Sequence, residues 1–232
     1  MSKPAAKSSS AERPPLTPAA EQTRMALLHA ALKLFGENGF DGTSTRDIAA
    51  AAKANIGSIA YHFGGKEGLR AACAEYIVAT VRGLATRATV FDSGAGALDE
   101  KAAHAQLETV LERMVTFIVA SPEAGKIVQF ILRELARPAA ALDIIYRGVF
   151  EPVHKRLCEV WAAATGEPAE SERTRIAVFT MIGQVVYVRI GREAVRRRMG
   201  WDDIGPAEAA KVVAVAKDNL AAVLAARKKG KP

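Results

Sequence analysis

Thr43–Leu69, TSTRDIAAAAKANIGSIAYHFGGKEGL, decides the reading of the whole chain. Ser44 followed three residues later by Asp47 predicts a capping box, with Ile48, Ala49 and Ala52 behind it as one apolar face. Lys53 and Ala54 interrupt that short helix, and Asn55 supplies a cap for a second one, in which Ile59 and Phe63 share the inner side. Gly57, Ser58, Tyr61 and His62 face the other way. The outer face therefore carries little bulk near its N-terminus and is shaped to enter a major groove.

Upstream, Pro18 suits a first helical turn, and Leu27, Leu28, Ala31, Leu32, Leu34 and Phe35 recur at helical spacing through Asn38. Gly39 ends this helix, and Phe40 is expected to fold back beneath the next two. His29 reads as a scaffold histidine. Residues 1–16 are rich in Ser, Ala and Pro with Lys3, Lys7 and Arg13, which predicts a disordered basic arm, either a plain tail or a segment that settles on DNA.

Downstream, apolar spacing predicts helices over Glu67–Val90, Lys101–Val119, Glu123–Ala136, Ala139–Trp161 with a kink at Pro152, Glu172–Arg197 and Pro206–Arg227. FDSGAGALDE between the first two is a loop by its glycines. The fold class is all-α with about nine helices. The expected divisions are a helix-turn-helix unit over 17–66, a larger helical domain for ligand binding and dimerisation over 67–228, and a basic tail over 229–232.

Half of the 232 residues are apolar, enough for a substantial core, and the formal charge of +7 with a pI near 9.5 favours a polyanionic partner. Charge is nearly balanced within Thr17–Lys66, so any DNA contact there depends on placement. Cys73 and Cys158 have no metal or redox spacing and read as inert thiols. The N-terminus lacks the apolar core of a signal peptide, and the run IAVFTMIGQVVYV is too short to span a bilayer, so a cytoplasmic protein without membrane, metal or cofactor is expected.

The lead-in ALKLFGENGFDGTSTRDIA and the exit YHFGGKEGL resemble the helix-turn-helix of the TetR family of transcriptional regulators, over roughly Thr17–Leu69. FILRELARPAAALDIIYRGVFEPVHKRL further resembles the C-terminal domain of that family's CecR-type branch. The resemblance implies a homodimer that binds a double-stranded DNA operator and responds to a small-molecule effector. DNA contacts are expected from Thr45, Arg46, Asn55, Ile56, Gly57, Ser58, Tyr61, His62 and Lys66, with Arg46 and Lys66 meeting phosphates. An ion pair of Arg46 with Asp41 or Asp47 is the alternative. Lys53 stands where many members have Gly, and Ile56 where Lys or Arg is frequent, so the operator sequence cannot be borrowed from relatives.

A kinked helix beside two core helices leaves room for a cavity. Phe117, Gln129, Phe130, Arg133, Tyr146, His154, Gln184 and Tyr187 are the candidate effector contacts, although residues such as Tyr146 and His154 are more often packed in a core. The last two long helices can pair with a second copy as a four-helix bundle through Phe179, Gly183, Val186, Ile190, Val213, Ala216, Leu220 and Val223. The chain offers no nucleophile–base pair, phosphate loop or metal cluster, which argues against an enzyme. A non-specific DNA-organising protein is the remaining alternative.

Overall fold

The computed structural model describes residues 17–87 and 98–229. The basic arm over 1–16, most of the glycine loop and the tail beyond Lys229 lie outside those residues. Helix α1 (Pro18–Asn38) starts as its sequence predicts: Thr17 Oγ1 accepts the Ala20 N–H at 3.3 Å and Pro18 occupies the first turn. Gly39, with φ of 77°, ends it. Thr43 is buried and its hydroxyl is directed at the carbonyls of Gly39 (2.8 Å) and Leu34 (3.1 Å), which fixes the turn into α2 (Thr45–Ala51). α3 (Gly57–Phe63) and α4 (Lys66–Arg87) complete this part, and Phe40 packs against Phe35 with ring centroids 5.4 Å apart.

α5 (Glu100–Val115) runs into a π-helical segment, Thr116–Ala120, and the chain bends by 88° into α6 (Pro122–Ala136). α7 (Ala140–Ile145) leads through a second π-helical segment, Tyr146–Phe150, into α8 (Glu151–Thr165). The irregularity expected at Pro152 falls in the turn before it. Proline has no N–H for the Gly148 carbonyl, and Arg82 of α4 supplies one instead, its Nε donating at 2.9 Å. Gly148 also lets α4 come close, since a Cβ there would lie 2.5 Å from Val78 Cγ2.

The helix expected over Glu172–Arg197 is divided into α9 (Glu172–Ile190) and α10 (Arg192–Met199). Gly191 and Gly183 are the two poorest helix formers of the run, and the helix breaks at Gly191, where Arg192 is drawn sideways onto Asp203 (2.6 Å) and the Ile204 carbonyl (2.9 Å). α11 (Pro206–Lys229) closes the chain. All of the described regular structure is helical, and no single described helix is long and apolar enough to cross a membrane.

Two cores hold the helices together. Leu27, Leu32, Phe35, Ile48, Ile59, Leu69 and Ile77 of α1–α4 pack with Ile127 and Phe130 of α6 and Ile145 of α7. Leu107 and Leu111 of α5, Trp161 of α8, Val178 and Val185 of α9 and Leu220 and Leu224 of α11 form the second. Each such fully buried side chain contributes about 1.5–3 kcal/mol. Ala216 and Leu220, expected at a dimer interface, belong to this inner core because α11 turns them toward α5 and α9 within one protomer.

Candidate nucleic-acid interface

The capping box of α2 is complete: Ser44 Oγ accepts the Asp47 N–H at 3.1 Å, and Asp47 Oδ2 accepts the Ser44 N–H at 3.1 Å and its hydroxyl at 2.6 Å. These bonds hold the Asp47 carboxyl below its ordinary pKa. The turn into α3 is a Schellman motif in which the Lys53 N–H donates to Ala50 O (3.1 Å) and the Ala54 N–H to Ala49 O (2.9 Å). Lys53 sits at its left-handed position with φ of 53°, the conformation glycine would take without strain. Asn55 does cap α3, one residue earlier than a regular N-cap: its Oδ1 accepts the Gly57 N–H at 2.8 Å.

α3 buries Ile59 and turns Ile56 and Tyr61 outward, 49% and 67% exposed. Gly57 and Asn55 are exposed beside them, Ser58 and His62 are partly covered, and the Tyr61 and His62 rings meet edge to face at 4.9 Å. Arg46 is exposed on α2 and Thr45 partly covered. The ion-pair alternative for Arg46 is not what the side chains do: Asp41 pairs with Arg137 at 3.3 Å and Asp47 faces Ser44. Lys66 opens α4 with its Nζ 4.1 Å from the Phe40 ring centroid, and the Arg70 guanidinium lies over the same ring at 4.5 Å. Backbone, aromatic packing and caps thus position an outer face on α2–α3 and a cation at the head of α4.

The unit is tied to the rest of the protein through α6. Arg70 Nε and Nη2 each donate at 2.8 Å to the two oxygens of Glu134, which is only 3% exposed. Arg133 Nη2 donates to Glu37 O at 2.7 Å and its Nε to Gly36 O at 3.2 Å, capping the end of α1. Gly36 makes that crossing possible, because a Cβ there would lie 3.1 Å from Gln129 Cβ and 3.2 Å from Phe130 N. Higher up, the Tyr76 hydroxyl donates to Glu123, and His29 packs edge to face on Tyr76 at 5.2 Å, the scaffold role expected of it.

The family model described as "Bacterial regulatory proteins, tetR family" matches residues 27–73, which contain α2, α3 and the head of α4. That described as "HTH-type transcriptional dual regulator CecR, C-terminal domain" matches residues 103–227, more than half of the chain. The chain belongs to the TetR family, with a CecR-type C-terminal domain. It is 34% identical over 191 residues to the HTH-type transcriptional dual regulator CecR of Shigella flexneri, covering 81% of this chain and 85% of that one. Among solved structures, a TetR-like transcriptional regulator from Rhodococcus sp. RHA1 superposes with a TM-score of 0.59 at 22% identity, covering 94% and 100% of the two chains. AibR, solved in complex with isovaleryl coenzyme A and operator DNA, superposes at 0.58 with 18% identity over 72% and 86%. This TetR-family protein is therefore a DNA-binding transcriptional regulator, not an enzyme.

The eight residues expected to line one effector cavity do not converge. Phe130 is fully buried beneath α1, Phe117 is packed against the same core, and Arg133 is engaged by the end of α1, so these three join α6 and its neighbours to the DNA-reading unit. Tyr146 and Tyr187 are exposed. His154 stacks on Phe179 at 3.9 Å with Nε2 3.1 Å from Arg175 O. Gln184 accepts from Asn219 at 3.2 Å in a groove of about 800 Å³ between α9 and α11, and Gln129 lines a second groove of about 490 Å³ between α6 and α9–α10. Helical spacing marks the stripe each residue belongs to but not the neighbour that stripe faces, so the eight end on different cores and surfaces.

Of the expected dimer residues, Phe179, Ile190 and Val223 are exposed, the Gly183 position opens onto free space, and Val186 and Val213 are partly covered. Sequence reasoning missed Thr43, Arg70 and Gly36. The charged pair Arg133–Glu134 amid apolar residues was the available signal, but its partners lie 64 to 97 positions away.

Proposed function

We propose that this TetR-family regulator is a homodimeric repressor that leaves a palindromic operator when a small organic molecule binds. The observation that carries the DNA-reading half is the outer face of α3, where Ile56 and Tyr61 stand exposed while Ile59 is buried. Ile56 suits a thymine methyl, Ser58, Asn55 and Gly57 offer small polar surface to base edges, and Thr45, Arg46, Tyr61, His62 and Lys66 reach phosphates. Residues 17–66 are the reading unit in this account and 67–228 the regulatory one, with α4 as the lever between them.

Dimerisation is supported by exposed apolar residues along α9 (Ile176, Phe179, Tyr187, Ile190) and by the exposed Val223 of α11, which with Ile176 lines the larger groove. A second copy seated there forms a four-helix bundle and sets two α3 helices about 34–36 Å apart. AibR carries both isovaleryl coenzyme A and operator DNA, which supports an effector mechanism on this architecture, and an effector need supply only about 1–3 kcal/mol of coupling. The protein acts in the cytoplasm, where the operator is. Binding-site selection with the purified protein on genomic fragments, followed by release with candidate compounds, tests the reading. A palindrome bound with about 1–3 kcal/mol lost per mismatched base pair is expected, whereas equal affinity for any duplex would replace the repressor with a DNA-organising protein.

A further inference from the structure

Arg189 has an arrangement that the fold does not explain. Its guanidinium reaches the first turns of α6 at Gly125 with Nη2 foremost, where a Cβ would stand 1.8 Å from Nη2 and 2.9 Å from Cζ. Its hydrogen bond is a long one, Nη1 to Val119 O at 3.3 Å, and Arg192 Nη1 approaches that same carbonyl at 3.3 Å. Arg192 is neutralised by Asp203 at 2.6 Å, but among the described residues no carboxylate lies within 4 Å of Arg189. Burial, and then the charge of Arg192, push the Arg189 pKa down from its ordinary value, as expected of a cation that lacks a counter-ion.

The guanidinium borders the groove of about 490 Å³ between α6 and α9–α10. Val128 and Leu132 give that groove an apolar wall on α6, and Leu132 is 37% exposed. Its acids lie on the α10 side: Glu193 is held by Arg196 (3.0 Å) and Arg197 (2.6 Å) and Asp203 by Arg192, while Asp202 lies in the turn toward α11 with its backbone carbonyl 3.4 Å from Arg196 Nη1. The start of α6 adds positive partial charge beside Gly125. We propose that this groove binds a small organic monocarboxylate with an apolar tail, the carboxylate paired with Arg189 and the tail laid along Val128 and Leu132.

One unpaired guanidinium matches one carboxylate in a two-pronged contact; a multiply charged phosphate ester would require further free cations. Gln129, in the same groove, packs on Gly36 of α1, so an occupant bears on the crossing that carries the DNA-reading unit. The site deepens the effector reading and rests on it, and its test therefore reads binding to the protein without DNA.

Titration calorimetry with sodium octanoate on the full chain should show saturable binding, and 1-octanol and octylamine should show none. Arg189→Gln should weaken octanoate at least tenfold. Gly125→Ala, which removes no charge and only displaces the guanidinium, should weaken it as well, with helical content unchanged by circular dichroism. Octanoate bound equally by wild type and both variants, octanol bound as tightly as octanoate, or no octanoate binding at all would each overturn the site. Operator affinity is measured separately: a protein that finds its palindrome but ignores octanoate loses this inference alone, while one without a palindrome loses the repressor reading.

Discussion

Tyr61 and Lys66 stand at the surface for opposite reasons, one because nothing covers it and the other because Phe40 holds it there. Tyr61→Ala should change stability by less than about 0.5 kcal/mol, since the side chain packs on little beyond His62, yet lower operator affinity. Lys66→Ala should weaken binding to all sequences alike and reduce the salt dependence by about one counter-ion. Gel-shift titrations across salt concentrations check both, and unchanged affinity in the two variants would remove them from the interface. Lys53 is a different case. Its left-handed backbone costs about 1 kcal/mol, which Gly avoids at some cost in chain entropy, so Lys53→Gly should raise the unfolding free energy by ~0.5 kcal/mol in urea denaturation. The two thiols stay inert for a shared reason: burial pushes Cys158 up to about 11 and Cys73 higher still.

Among the elements, α2 and α6 carry the sharpest expectations. Ser44 bonds to Asp47 with both its hydroxyl and its N–H, so the folded carboxyl titrates below its unfolded value of about 4. The contribution is present above that unfolded pKa and fades as pH falls through the lower folded one. Ser44→Ala should return the Asp47 titration, followed by NMR, toward the ordinary value and flatten the acid limb of stability. In α6, Glu134→Ala would strand Arg70 and remove a buried pair, costing about 3 kcal/mol, whereas the double change Arg70→Met with Glu134→Leu should recover much of that loss. Chemical denaturation of the three variants decides whether charge or shape matters at this joint. The capping box was legible in advance because its partners are three residues apart. The Arg70–Glu134 joint was not, because 64 residues separate them and neither residue type reveals its partner.

On the scale of the molecule, the strip along α9 is the surface most in need of cover, with Phe179 and Tyr187 62% and 63% exposed. Phe179→Asp should shift the protein to monomers in analytical ultracentrifugation and, by separating the paired α3 helices, reduce operator affinity far more than any single base contact does. A dimer of undiminished stability would place the interface elsewhere. The exposed part of this strip was readable from the apolar spacing of α9. Ala216 and Leu220 were misassigned with it because one apolar stripe on α11 serves the inner core, and periodicity does not say which neighbour a stripe faces.

By itself the sequence determined the all-α class, most of the helix starts and the turn between α2 and α3, because those depend on contacts three or four residues apart and on backbone preferences local to Gly39 and Asn55. Only the tertiary structure decided what α6 does. Arg133 was expected among the effector contacts, and with Glu134 it instead closes α1 and α4 onto the helical core. It also decided the facing of α8 and α10, since the π-helical turn before Pro152, where Arg82 fills the missing N–H, and the break at Gly191 each redirect the helix that follows. The reason is the same in each instance: a buried polar group or a missing N–H takes whichever partner packing brings near, and that partner lies far along the chain.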